Sequence, residues 1–341
     1  MPLALAVVAL LALLVVSICL GVALGTVGVP LEKTVVVLVD HLVPGVDAHG
    51  YSAVQDQFVW EFRMPRVLLA AIVGAGLAVV GTVMQAVVRN PLADPYVLGV
   101  SSGAGFGAVL AFLVLDVSSG AVRYGASFLG ALAALALVLA LAGQRGRLTP
   151  GQVVLVGVSL AYIFTALTSF LIYRSDDPRA AQSVVFWLLG TLQDATFSVL
   201  AVPAVAVAVG LAAALWYGRG LNALVIGDET AAALGYEVHR MRMVLLVAGA
   251  LVTGVLVSVA GGVAFVGLIV PHAVRLVIGS DHRRLLIVSA LSGAVFLVLV
   301  DIACRFAARP EELPLGVVTA VLGGPYFLYL LRSRGRTRVL G

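Results

Sequence analysis

The sequence predicts an all-α, polytopic membrane protein, and three observations carry that expectation. Apolar residues make up 62% of the chain and charged residues only 11%, whereas a soluble domain carries about 25% charged residues. Mean hydropathy is +1.12. Long uncharged runs recur, with 22 residues between Arg66 and Arg89 and 21 between Asp94 and Asp116. At about 1.5 Å per helical residue, either run reaches roughly 30 Å, the thickness of a bilayer hydrocarbon core. A large soluble core would leave such runs unexplained. The net charge of +4 comes mainly from arginine, with Lys33 the only lysine, and reads as topology rather than nucleic-acid binding. Cys19 and Cys304 lie in or beside apolar runs, without metal or disulfide spacing, and read as small core residues.

Taken in order, residues 1–31 carry no charge and read as a first span. A signal peptide would want a basic n-region and a shorter apolar stretch. Residues 32–62, with Asp40, Asp47, Asp56 and Glu61, read as a long outer loop. From Arg63 to Gly107 the chain reads as a transmembrane hairpin. Its arms are joined by Arg89-Asn90-Pro91-Leu92-Ala93-Asp94-Pro95, where two prolines and an Asn favour a rigid, non-helical link. A span ending near Gln144 follows, then Arg145-Gly146-Arg147, a span from Leu148 to Tyr173, and a polar loop over 174–182. The next span runs from about Ala195 to Tyr217.

The segment from Arg219 to Arg242 is amphiphilic and carries Asp228, Glu229, Glu237 and His239. Asp228 and Glu229 precede an Ala-rich stretch, Thr230 to Leu234, which ends at Gly235. Acids in a first turn suit the helix dipole and Gly suits a C-cap, so a short capped helix is expected. Met243 to Val274 is 32 residues without formal charge, about 48 Å if helical and too long for one crossing. Splitting it near Gly261-Gly262 lets the positive-inside rule close. Arg89, Arg145/Arg147, the 219–242 segment, Arg283/Arg284 and the Arg-rich tail then share the inner side. The expected total is ten spans with both termini cytoplasmic, in a single transmembrane domain over 1–341.

On this topology eight of the 21 Lys and Arg lie outside: Lys33, Arg63, Arg66, Arg123, Arg174, Arg179, Arg305 and Arg309. Arg63 and Arg66 sit three apart on one helical face, and Arg305 follows Asp301 by four. Two readings fit. One is interfacial snorkelling with local pairing, including Asp301 with Arg305. The other is a basic platform that docks an acidic extracellular partner.

The run RMPR…GAGLAVVGTVMQAVVRNPLADPYVLGVSSGAG resembles the FecCD-type permeases. These are the membrane subunits of bacterial binding-protein-dependent ABC importers for iron-siderophore complexes, haem and cobalamin. GDETAAALGYEV (227–238), GGVAFVGLIVPHAVRLVIGSDHR (261–283) and LVDIACR…ELPLGVVTAVLGGPYF (299–327) extend the resemblance in order. It implies the type II ABC importer permease architecture, with ten helices per subunit. It further implies a homodimer or paired homologue around one pathway, two ATP-binding subunits inside and a substrate-binding protein outside. Arg63, Arg66 and Arg305 match positions that bind acidic residues of the binding protein. Gly227, Asp228, Glu229, Ala232, Leu234 and Gly235 match the coupling segment in the ATPase groove. Asn90 and Leu92 match the inner gate. Ser159, Thr165, Thr168 and Ser169 fall on the fifth span, which lines the pathway. The implied location is the bacterial cytoplasmic membrane.

The chain has no G-x-x-x-x-G-K-[ST] and no Gly-Lys, so a P-loop cannot be built from it. No cofactor is expected on this chain; ATP and Mg belong to partner subunits. Gly99 to Gly103 matches G-x-S-x-G, but it opens a span rather than a strand-to-helix elbow, and a hydrolase would further need His272 beside Ser101. An ion- or proton-coupled secondary transporter is the alternative, and would place ionisable residues at mid-membrane. No carboxylate lies well inside an apolar run here, and Asp301 falls near an outer edge.

Overall fold

A computed structural model describes residues 2–25, 28–43, 50–115, 119–144, 147–148, 150–309 and 311–339. Among these it has fourteen helices: α1 (Leu3–Ala23), α2 (Leu31–Leu42), α3 (Ala53–Val87), α4 (Val100–Val114), α5 (Gly120–Ala142), α6 (Pro150–Tyr173), α7 (Pro178–Leu188), α8 (Phe197–Trp216), α9 (Gly218–Ile226), α10 (Asp228–Ala233), α11 (Val238–Ala260), α12 (Val266–Ile278), α13 (His282–Phe306) and α14 (Leu315–Val339). A two-residue antiparallel ribbon, Gly143–Gln144 with Arg147–Leu148, joins α5 to α6. Seven helices are long and apolar enough to cross a bilayer: α1, α3, α5, α6, α8, α11 and α13. The shorter apolar helices α4, α12 and the Leu315–Leu328 part of α14 bring the set to ten.

The long run after Arg242 is divided where expected. α11 stops at Ala260, Gly261 turns with φ +65°, and α12 begins at Val266 after Phe265 at φ +68°. Gly261 has no room for a side chain, since a Cβ there would lie 2.0 Å from the Trp187 carbonyl oxygen. The break is a three-way junction. Thr191 N–H donates to the Ala260 carbonyl, Leu315 N–H to Gly190 and Gly316 N–H to Leu189, so α7, α11 and α14 meet through their backbones.

Several expectations need correction. Residues 32–62 are not a loop: α2 fills 31–42, and α3 begins at Ala53. Ser52 and Gln55 form a reciprocal capping box that starts the helix, and a π-helical stretch over Gln57–Arg63 carries it into the membrane segment. Asp47 and Arg145 lie outside the described residues. The stretch read as a polar loop over 174–182 instead starts α7, because Asp177 accepts from the Arg179 and Ala180 N–H groups and Pro178 occupies the first turn. The second hairpin arm, α4, is shorter than the uncharged run. Pro95–Leu98 form a 3-10 turn, and Gly99 at φ +68° delays the helix to Val100. Cys304 is buried as expected, whereas Cys19 is exposed on α1.

The core is built around α3, whose buried face meets α11, α12 and α13. Small residues allow the crossings. A Cβ on Gly74 would lie 2.1 Å from the Gly293 carbonyl oxygen, so α3 and α13 touch backbone to backbone. This is the packing mode of helices in lipid, where apolar area gives no advantage over acyl chains and close van der Waals approach does.

Candidate functional site

Side-chain contacts sort the connections onto two opposite faces. On one face the end of α1, the start of the membrane part of α3, residue 193 and the α13–α14 connection meet. On the other, the connector after α3, the α9–α10 segment and the α12–α13 turn meet.

At the first face lies a cluster of five charges. Arg66 donates from Nε to Asp301 Oδ1 at 2.8 Å, places Nη2 2.8 Å from the same oxygen, and sets Nη1 2.8 Å from Glu312 Oε2. Arg305 pairs with the other Asp301 oxygen through Nη2, while its Nη1 donates to the Gly21 and Leu24 carbonyls at 2.7 and 3.1 Å. Arg63 Nη1 donates to the Val22 and Ala23 carbonyls, both at 3.1 Å. A helix end leaves its last carbonyls without intrahelical donors, and two arginines supply donors to the end of α1. Local pairing of Asp301 with Arg305 is therefore present, and Arg63 and Arg305 are buried, at 6% and 2% exposure. The guanidiniums nevertheless line a cavity of about 200 Å³, together with Phe58, Phe62 and Glu312. Glu312 went unread in the sequence, although it stands in the ELP string. Burial opposes its ionisation, but Arg66 and the hydrogen bond from Gln193 hold its carboxyl below the ordinary value.

At the opposite face, α10 starts at Asp228, two residues before the Ala-rich stretch, so Asp228 and Glu229 lie in its first turn. Gly227 precedes it, and Gly235 at φ +85° follows the Leu234 cap. A second short helix, α9, precedes α10 and was not anticipated. Ile226 and Leu234 are 75% and 65% exposed, and Ala232 is exposed too, which leaves an apolar surface outside the bundle. Asp228 Oδ1 accepts from Arg242 Nη2 at 2.9 Å and lies 3.5 Å from Arg89 Nη1. One carboxylate thus joins α10 to α11 and to the connector after α3. Asn222 on α9 donates to Asp281 Oδ2 at 3.0 Å and accepts from the His282 N–H at 2.9 Å, fixing α9 to the α12–α13 turn.

In the connector, Asn90 Oδ1 accepts from Leu92 N–H at 2.9 Å, an Asx-type turn that leaves Leu92 exposed. Burial pushes the Asp94 carboxyl up to about 6, against the hydrogen bond it accepts from Tyr96 N–H. The Tyr96 hydroxyl donates to the Val263 carbonyl and accepts from the Val263 N–H, both at 2.9 Å, anchoring the connector to the broken segment. On α6, Ser159, Thr165 and Ser169 are exposed, whereas Thr168 is turned into the bundle at 7% exposure. The G-x-S-x-G string opens α4 directly after Gly99, and His272 packs edge-on to Tyr326.

The geometry is that of a multi-pass membrane protein with a charged pocket at one face and an exposed apolar helix at the other. A family model described as the FecCD transport family matches residues 13–333. The cobalamin import system permease protein of Halobacterium salinarum is 44% identical over 285 residues, covering 84% of this chain and 76% of that protein. The iron(3+)-hydroxamate import system permease protein of Bacillus subtilis is 36% identical over 327 residues, 96% of this chain and 82% of that protein. A solved inward-facing structure of a transporter assigned to the metal-chelate ABC type superposes with a TM-score of 0.81 at 29% identity, covering 97% of this chain and 99% of that one. The chain belongs to the FecCD transport family. It is a transporter permease, not an enzyme.

Proposed function

We propose that this chain is the permease subunit of a binding-protein-dependent ABC importer. It passes a metal chelate or corrinoid, in the class of iron-siderophore, haem or cobalamin, through a pathway shared by two permease copies. Two separate ATP-binding subunits drive it from the α9–α10 face. An extracytoplasmic binding protein docks at the face of Arg63, Arg66 and Arg305. Both termini are cytoplasmic, and the protein sits in the cytoplasmic membrane of a bacterium-like cell.

What carries this reading is the separation of two unlike surfaces by ten apolar helices. Guanidiniums around a cavity suit a carboxylate on a soluble partner. An exposed pair of short helices with Ile226 and Leu234 bare suits a groove in another protein, because such apolar side chains gain by being covered. Leu92 at the tip of a stiff connector suits an apolar gate, and Ser159, Thr165 and Ser169 supply a hydroxyl-bearing stripe on α6 for the shared path. The mid-membrane carboxylates that an ion-coupled carrier uses have no counterpart among the described spans, where Asp301 is held by two arginines at the edge. The experiment is reconstitution of the permease with its ATPase and binding protein in proteoliposomes. Uptake of ferric hydroxamate, haem and cobalamin is compared with and without internal ATP. ATP-dependent entry of one of the three is expected; entry driven by a proton gradient alone overturns the reading.

A further inference from the structure

We infer that Glu312 holds, in the free permease, the place that a partner's carboxylate takes on docking. Engagement of an acidic partner is then an exchange of acids on Arg66. The inference rests on the docking reading above and adds how that surface is regulated.

Two carboxylates hold Arg66, and they differ in kind. Asp301 is fully buried on α13 and grips the guanidinium from beneath through two of its nitrogens, while also pairing with Arg305. Glu312 stands on the connection between α13 and α14, outside any helix, with its side chain 17% exposed. It reaches Arg66 through Nη1 alone and lines the 200 Å³ cavity with the three guanidiniums. An incoming carboxylate meets Glu312 as its one acidic competitor among the residues lining that cavity. A displaced Glu312 has somewhere to go. It also borders a neighbouring cavity of about 650 Å³, lined by Arg179, by Arg123 already paired with Asp194 at 2.6 Å, and by Glu311.

The exchange has a mechanical consequence. Glu312 Oε2 also accepts from Gln193 Nε2 at 3.1 Å. Gln193 lies two residues beyond Thr191 in the backbone junction of α7, α11 and α14, and Glu312 lies three before Leu315 in the same junction. Moving Glu312 releases a tie between docking surface and junction, so partner arrival is felt where α7 meets the membrane helices α11 and α14.

The test uses the full chain in nanodiscs at low ionic strength. The probe is a fluorescein-labelled hexaglutamate peptide, with hexaglutamine as the uncharged control, and the readout is anisotropy. Glu312→Gln keeps the side-chain shape and its hydrogen-bonding capacity while removing the competing charge. It should tighten peptide binding about five-fold, the scale of one partly exposed ion pair. Glu312→Ala should do the same and guards against a local effect of the amide. Arg66→Gln is the control for the docking reading and should weaken binding. If Arg66→Gln weakens binding while both Glu312 variants leave it unchanged or weaker, exchange is overturned and docking stands. If Arg66→Gln has no effect, the docking reading fails and the exchange falls with it.

Discussion

Asp301 is the residue on which the outer cluster turns, because it satisfies two guanidiniums from inside the bundle. Removing one member of a buried, hydrogen-bonded charge group costs about 3–5 kcal/mol, since the remaining charges stay desolvated. Asp301→Asn should therefore cost at least about 3 kcal/mol, read as a drop in the thermal-unfolding midpoint of the detergent-solubilised protein. Unchanged stability would mean that the α1 carbonyls alone satisfy Arg305. Glu312 gives a pH dependence of defined sign. Its carboxyl titrates below its ordinary 4.5 in the folded protein, so its contribution is present above that value and is lost as pH falls through the folded one. The loss of thermal stability as pH falls below about 4.5 should be larger in the native protein than in Glu312→Gln.

At the scale of elements, the crossing of α3 and α13 depends on two glycines that neither helix can replace. Gly74→Val would drive a branched side chain into the Gly293 carbonyl and push the helices apart. Overpacking of this kind costs about 1–3 kcal/mol or more. Reduced yield and a lowered unfolding midpoint are expected in Gly74→Val but not in Gly125→Val, where a Cβ meets nothing within 4 Å. On the proposed function, α10 is the element that links to the motor. Leu234→Arg places a charge on its exposed apolar surface, outside the bilayer, so insertion and folding should be normal while stimulation of ATP hydrolysis by the loaded binding protein falls at least ten-fold. Normal stimulation and uptake would exclude α10 as the coupling element, and the inner turn at Asp281 to Arg284 would be next. Asp228 adds a reason to expect transmission, since it holds α10 to Arg242 and approaches Arg89, the neighbour of Asn90.

At the scale of the whole molecule, the two sets of loops predict accessibility. In a background lacking Cys19 and Cys304, Ser175→Cys should react with a membrane-impermeant maleimide from outside and Ser333→Cys only from the cytoplasm. Labelling of both from one side would break the ten-span parity.

Much of this was legible along the chain because a bilayer imposes one-dimensional rules. Charge-free length fixes where helices can cross, and arginine placement fixes which loops share a side. The break near Gly261 followed from length, the glycine pair and arginine parity together, and a short capped helix near 228–234 from acids followed by alanines and a glycine. The family motifs located Arg63, Arg66 and Arg305 in the same way. What the tertiary structure decided is which charges meet. Arg66 lies 235 residues before Asp301, and no periodicity could show that Asp301 serves two arginines, that Arg63 and Arg305 finish α1, or that Glu312 shares their pocket. The helices over 31–42 and 178–188 were missed for a related reason. Charge read as loop, whereas the Asp177 cap at 178–188 and, for 31–42, packing against α1 and α3 turned polar sequence into helix. Hydropathy reports the transfer of single residues to lipid and so determined the spans; pairing energy depends on distance between side chains, which only the packed bundle sets.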